Sequence, residues 1–128
     1  NFMKDPVGAR LLLSEVTDPE RFGVPALDER GKITQIIEKP ADPPSSYAVI
    51  GAYMYDARIW EILPTLELSD RGQYEITDVN NAYLQRGQLG YDILPFSWTD
   101  AGTPESLRKA SEMARESTFW TNAQIGEE

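Results

Sequence analysis

The chain has neither cysteine nor histidine. Without cysteine there is no disulfide framework and no thiolate metal site. Without histidine, general-base histidine mechanisms are excluded. No apolar stretch approaches the ~20 residues that span a bilayer, and no signal peptide is visible, so a cytoplasmic location is expected. Basic residues are scarce, 12 Lys and Arg against 21 Asp and Glu, for a net charge of -9. Such a surface repels nucleic acid and anionic membranes, and neither is expected as a partner. A small basic pocket for an anionic metabolite stays compatible with it. A glycine-rich phosphate loop is also missing. Gly8-Ala9-Arg10-Leu11 has a single glycine and runs straight into a leucine run, so it cannot form a nest of N–H groups.

What is present is a chain of 128 residues, 41% apolar and 26% charged, ordinary for one soluble domain. Arg10 to Val16 is a leucine-rich run that reads as a buried strand. Asp18 to Gly23 supplies turn chemistry, and Val24 to Leu27 reads as a short strand. Asp28 to Gly31 reads as a hairpin loop and Ile33 to Glu38 as the returning strand. Its alternation sets Ile33, Gln35 and Ile37 on one face and Thr34, Ile36 and Glu38 on the other. Tyr47 to Tyr55 is apolar on both faces, which implies a central strand, and Gly51 within it suggests close approach by a backbone or a ligand.

Asp56 reads as the N-cap of a short helix carrying Ile59, Trp60 and Leu63 and ending near Pro64. Thr77 reads as the cap of a second helix with Val79, Ala82 and Tyr83 on one face and Gly87 past its end. Tyr91 to Trp98 alternates as a strand, with Pro95 demanding an edge or a bulge. Thr103 and Pro104 open a last helix whose expected buried face is Leu107, Ala110 and Ala114. Tyr53, Tyr55, Trp60 and Tyr83 are expected in the core. Residues 1–8 read as a lead-in, 9–116 as the folded body and 117–128 as a tail, with Phe119 and Trp120 able to dock on a partner.

Two polar islands end apolar runs. Glu38-Lys39-Pro40 sets an acid beside a base where proline stops a strand. The plain reading is a solvated charge pair. The functional one has Glu38 accepting from sugar hydroxyls and Lys39 meeting a phosphate, the bend before proline letting both serve one ligand. Asp100-Ala101-Gly102-Thr103 sets a carboxylate before a helix. Asp100 is a turn residue, or one ligand for magnesium, which binds through carboxylates and substrate phosphates. Gly23 is a turn glycine, or a backbone N–H that a ligand can approach. Val49 is a core residue whose main chain can bond a ligand at a pocket edge.

Taken in order, six segments resemble the sugar-1-phosphate nucleotidyltransferases, most closely the thymidylyltransferase branch acting on glucose 1-phosphate. They are Asp18 to Val24, Ile37 to Pro40, Tyr47 to Gly51, Tyr53 to Asp56, Glu75 to Asn80 and Trp98 to Thr103, within a resemblance running from about Gly8 to about Ala114. The resemblance implies an α/β fold, half of a mixed Rossmann-like domain. It implies transfer from a nucleoside triphosphate, dTTP in that branch, to a sugar 1-phosphate with release of pyrophosphate, and magnesium as cofactor. Gly23, Glu38, Lys39 and Val49 would hold the sugar phosphate and Asp100 would share the metal. The family's nucleotide loop, catalytic lysine and first metal carboxylate have no counterpart, so no catalytic residue is expected here. The chain is expected to be the sugar-binding C-terminal half, partnered by a nucleotide-binding half or by a second copy. The other expectation is a stand-alone oligomeric binding or regulatory module without activity. Departures from the family pattern are Gln73, where glutamate is usual, and Pro25, expected to weaken its short strand.

Overall fold

A computed structural model describes Phe2 and residues 7–117. The expected lead-in is described only in part, and Phe119 and Trp120 lie outside the described residues. Two compact units are present, one ending at Ser97 and one beginning at Trp98. The first holds strands β1 (Ala9–Glu15), β2 (Gly23–Leu27), β3 (Ile33–Glu38), β4 (Tyr47–Tyr55) and β5 (Leu89–Ile93), with helices α1 (Ile59–Ile62) and α2 (Ile76–Gln85). The second holds α3 (Pro104–Glu116). The sheet order is β3-β2-β4-β1-β5. β1 and β5 are parallel and the other pairs antiparallel, which makes the sheet mixed and the fold α/β, as expected. Among the described residues no helix is long and apolar enough to cross a membrane.

β4 is the middle strand, as its two apolar faces require. One face of the sheet carries Leu11, Leu13, Ile33, Ile36 and Val49 as a core cluster. A second cluster joins Ala9 to Ile62, Val79 and Tyr83 from the helices. Tyr53, Tyr55 and Tyr83 stack in sequence, with centroids 6.0 and 5.5 Å apart.

Several local expectations are corrected. Ile33 and Ile36 share the core although strict alternation separates them. The β2–β3 register slips between Ala26 and Leu27, and this bulge returns Ile33 to the inner face. Gly51 meets no atom within 4 Å of an added Cβ. It lies where Leu11 pairs with Tyr53 but Leu13 with Val49, so the glycine marks a bulge rather than a close approach. Trp60 is 73% exposed, not core, and Ile62 is the buried residue of the one-turn α1. The last strand ends at Ile93, before Pro95, and Phe96 is exposed. Glu75, not Thr77, is the cap residue of α2, and Thr77 lies buried within the helix. Thr103 caps α3 as expected and forms a capping box with Ser106, but Leu107 is 54% exposed.

Pro25 does not break β2. Lys39 N–H donates to Phe22 O at 2.9 Å, and antiparallel alternation then turns the main-chain groups of Pro25 away from β3. On that other side β2 and β4 share only the Gly23–Val49 pair. No ladder bond is lost to the missing N–H, and the Ser45 hydroxyl donates to Pro25 O at 2.6 Å.

Candidate functional site

Three of the residues singled out in the sequence fall in one row. Glu38 pairs with Gly23 and Gly23 with Val49, across β3, β2 and β4. Directly paired residues project to the same face, so Glu38 stands at the open end of a row that becomes apolar at Val49. Val49 is 7% exposed and belongs to the core. At Gly23, an added Cβ would come 3.1 Å from Thr77 Oγ1 and 3.3 Å from Glu38 Oε2. A side chain at this position would press on the carboxylate.

Glu38 is tied at one oxygen. Thr77 Oγ1 donates to its Oε2 at 2.7 Å, while its Oε1 lies 3.9 Å from Arg71 Nη1. Tyr53 registers the charge: its hydroxyl is pushed above the ordinary tyrosine range by burial and then by Glu38. Lys39 follows in a left-handed conformation, φ 45. Its main chain is anchored to Phe22, and Pro40 behind it is buried. Such a backbone is rare for a residue with a side chain and persists where its surroundings impose it. It breaks the strand's alternation immediately after Glu38.

An open pocket of about 550 Å³ lies against this edge, lined by β3, the Glu67–Arg71 segment and the first turns of α2. Glu38, Glu67, Asp70, Glu75 and Asp78 border it, with Arg71 as the cation. Arg71 leans toward both Glu38 and Glu75, 3.7 Å from the latter, and donates to Gln73 at 3.2 Å. A lining so rich in carboxylate oxygens suits a ligand that brings hydroxyl donors. It leaves a phosphate to Arg71, the cation of this lining; Lys39, next to Glu38 in the chain, is exposed and does not line the pocket.

Asp100 belongs to the second unit. Its Oδ2 accepts from Gly102 N–H at 3.0 Å, an Asx-type turn before the capped helix. Among the described residues no group of three or more Asp, Glu, His or Cys could hold a metal ion. Asp100 offers one carboxylate, with one oxygen bonded to Gly102 N–H, where magnesium is held through one or two carboxylates together with substrate phosphates.

Arg71, Thr77 and Asn81 escaped the sequence reading of the site. Thr77 was visible as a cap-type residue and as part of the Glu75 to Asn80 segment, with no sign of its bond to Glu38, which spans 39 residues. Arg71 sits in a polar loop with no local signal at all.

The family model described as nucleotidyl transferase matches residues 3–117. Glucose-1-phosphate thymidylyltransferase of Xanthomonas campestris pv. campestris is 43% identical over 106 residues, which are 81% of this chain and 36% of that protein. A Bacillus anthracis protein described as a glucose-1-phosphate thymidylyltransferase, in complex with a sucrose, superposes with a TM-score of 0.82 at 49% identity, over 92% of this chain and 48% of its own. A UDP-glucose pyrophosphorylase complexed with UDP-glucose gives 0.75 at 27% identity, over 90% of this chain and 46% of its own. The chain therefore spans about a third to a half of the relatives it matches. The ordered motifs, the mixed sheet and a match over nearly the whole length establish that this chain belongs to the nucleotidyl transferase family.

Proposed function

We propose that this chain supplies the sugar-phosphate side of a nucleotidyl transfer, in which a nucleoside triphosphate is joined to a sugar 1-phosphate and pyrophosphate leaves. The observation that carries this reading is Glu38, one oxygen held by Thr77 and the other facing Arg71 at a pocket mouth, with Lys39 next in the chain. The thymidylyltransferase relatives support glucose 1-phosphate and deoxythymidine triphosphate as the substrates.

In this reading the sugar enters the pocket at the Glu38 end of the Glu38–Gly23–Val49 row. Glu38 accepts from its hydroxyls, each such charged hydrogen bond contributing roughly 1.5–3 kcal/mol. The main chain at Gly23 and Val49 offers the remaining contacts. Lys39 and Arg71 offset the charge of the sugar phosphate. A non-bridging oxygen of that phosphate attacks the α-phosphorus in line. The bond from the α-phosphorus to the bridging oxygen breaks, and pyrophosphate leaves with the electron pair. The reaction is mostly positioning and charge neutralisation, so no covalent protein nucleophile is needed. The nucleotide side belongs to the rest of the protein or to a partner. Asp100 stands in this reading as one carboxylate, and magnesium depends on donors outside these residues.

Calorimetric titration tests the reading. The chain should bind glucose 1-phosphate, bind deoxythymidine triphosphate weakly or not at all, and release no pyrophosphate by itself. A chain that binds the triphosphate and ignores the sugar phosphate would reverse the assignment.

A further inference from the structure

β3 is one of the two edges of the sheet, and an edge strand leaves alternate N–H and C=O groups without a ladder partner. At Ile36 both groups are met by one side chain. Ile36 N–H donates to Asn81 Oδ1 at 3.0 Å, and Asn81 Nδ2 donates to Ile36 O at 2.8 Å. These are the two bonds that a neighbouring strand would make. One turn earlier on α2, Thr77 bonds the Glu38 carboxylate, two residues further along β3. The helix and the strand are thus stitched at two points, 77 to 38 and 81 to 36.

The spacing matches. Four helical residues rise about 6 Å, and two strand residues advance about 6.8 Å. Residues i and i+4 share one helix face, and that face meets the main chain of Ile36 and the side chain of Glu38. Either stitch alone leaves the strand free to slide or pivot against the helix, whereas two stitches at matched spacing do not. From this we infer that Asn81 is a positioning residue: by standing in for a sixth strand at Ile36 it sets the height of β3 against α2, and so places the Glu38 carboxylate on Thr77 and at the pocket. This rests on the proposed role of Glu38 only for its consequence in binding, not for the placement itself.

The test uses the full chain and the variants Asn81→Ala and Asn81→Asp. The second keeps an acceptor for the Ile36 N–H and loses the donor to Ile36 O, so it provides a milder perturbation if alanine impairs folding. Amide hydrogen exchange and the Glu38 carboxyl ¹³C resonance are read without ligand, and glucose 1-phosphate is then titrated. In Asn81→Ala the Ile36 amide should exchange at least about 10-fold faster while Leu11 in the sheet interior is unchanged, which is a local opening. The Glu38 resonance should move, and affinity for glucose 1-phosphate should fall about 5- to 10-fold, a loss on the scale of one hydrogen bond. Asn81→Asp should fall between wild type and alanine. Unchanged Ile36 exchange, or faster exchange with an unmoved Glu38 resonance, overturns the inference. A moved resonance with undiminished affinity supports the placement and overturns the proposed role of Glu38 in binding. If the unmodified chain binds no sugar phosphate while exchange and resonance respond as expected, the inference on placement stands and the proposed function fails.

Discussion

Asp56 and Glu38 are carboxylates at strand ends, one just after β4 and the other closing β3, and they are used in opposite ways. Asp56 is 8% exposed. Its Oδ1 accepts from the Arg58 N–H and the Tyr83 hydroxyl, both at 3.0 Å. Its Oδ2 accepts from Gly8 N–H at 2.7 Å and from the Arg58 guanidinium. A carboxylate offers about four acceptor positions, so Asp56 is saturated. Its carboxyl is held well below the ordinary range by the Arg58 guanidinium, with the other donors adding to that effect. Among the described residues, Glu38 has one protein donor on Oε2 and only a distant cation at Oε1. A saturated acceptor joins parts of a fold, whereas an acceptor with an open oxygen has capacity for a ligand. Asp56 also bonds Gly8 at both main-chain groups, Gly8 N–H to Oδ2 and Asp56 N–H to Gly8 O at 2.9 Å. That settles why the lone glycine at the head of β1 is no phosphate loop: its N–H is already committed.

The largest expected effect breaks the comparison on the Asp56 side. Asp56→Ala should destabilise the chain by about 3 kcal/mol, since it strands buried donors and one partner of an ion pair. Denaturant unfolding measures this, and a loss below about 1 kcal/mol would show that saturation does not carry stability. On the other side, Glu38→Gln should lower glucose 1-phosphate affinity about 10- to 100-fold, equivalent to one charge-assisted bond, while stability moves by less than about 1 kcal/mol. Equal destabilisation by the two substitutions would erase the distinction.

The pH dependence sharpens the comparison further. The depressed Asp56 carboxyl contributes stability that is fully present above the unfolded value near 3.9 and is lost as pH falls toward its folded value. Asp56→Asn should therefore lie below wild type near neutrality and converge with it in acid. Tyr83 is pushed up to about 12, by burial first and then by its bond to Asp56. A raised tyrosine makes stability fall as pH climbs from about 10 toward that value. Tyr83→Phe should flatten this limb in alkaline unfolding curves, and an unchanged limb would count against the Asp56–Tyr83 link. The smallest effect is expected at Lys39. Lys39→Gly relieves the positive φ, so stability should change by less than about 1 kcal/mol. Glucose 1-phosphate binding should nevertheless weaken a few-fold and lose part of its salt dependence, as removal of one exposed cation requires.

Much of this molecule was legible in the chain itself. Strand and helix positions follow from apolar periodicity, proline and capping residues, all of which act over a few neighbouring residues. The Glu38-Lys39-Pro40 island was recognisable because its chemistry is contiguous, and the resemblance of six ordered segments pointed to the family that the comparisons establish. The departures share a cause. Ile33 and Ile36 share a face because a bulge arises from pairing with β2, and a register slip is a property of two strands together. Thr77 looked like a cap because a lone threonine near a helix start satisfies that pattern, and its true partner is reached only when α2 lies against β3.

Local physics decided which segments become strands and helices, and which side chains carry carboxylate or cationic groups. Tertiary structure alone decided which acceptor is spent and which is left open. Hydrogen bonds between residues 27 to 48 positions apart depend on where folding brings the chain together, and no window of sequence contains both partners.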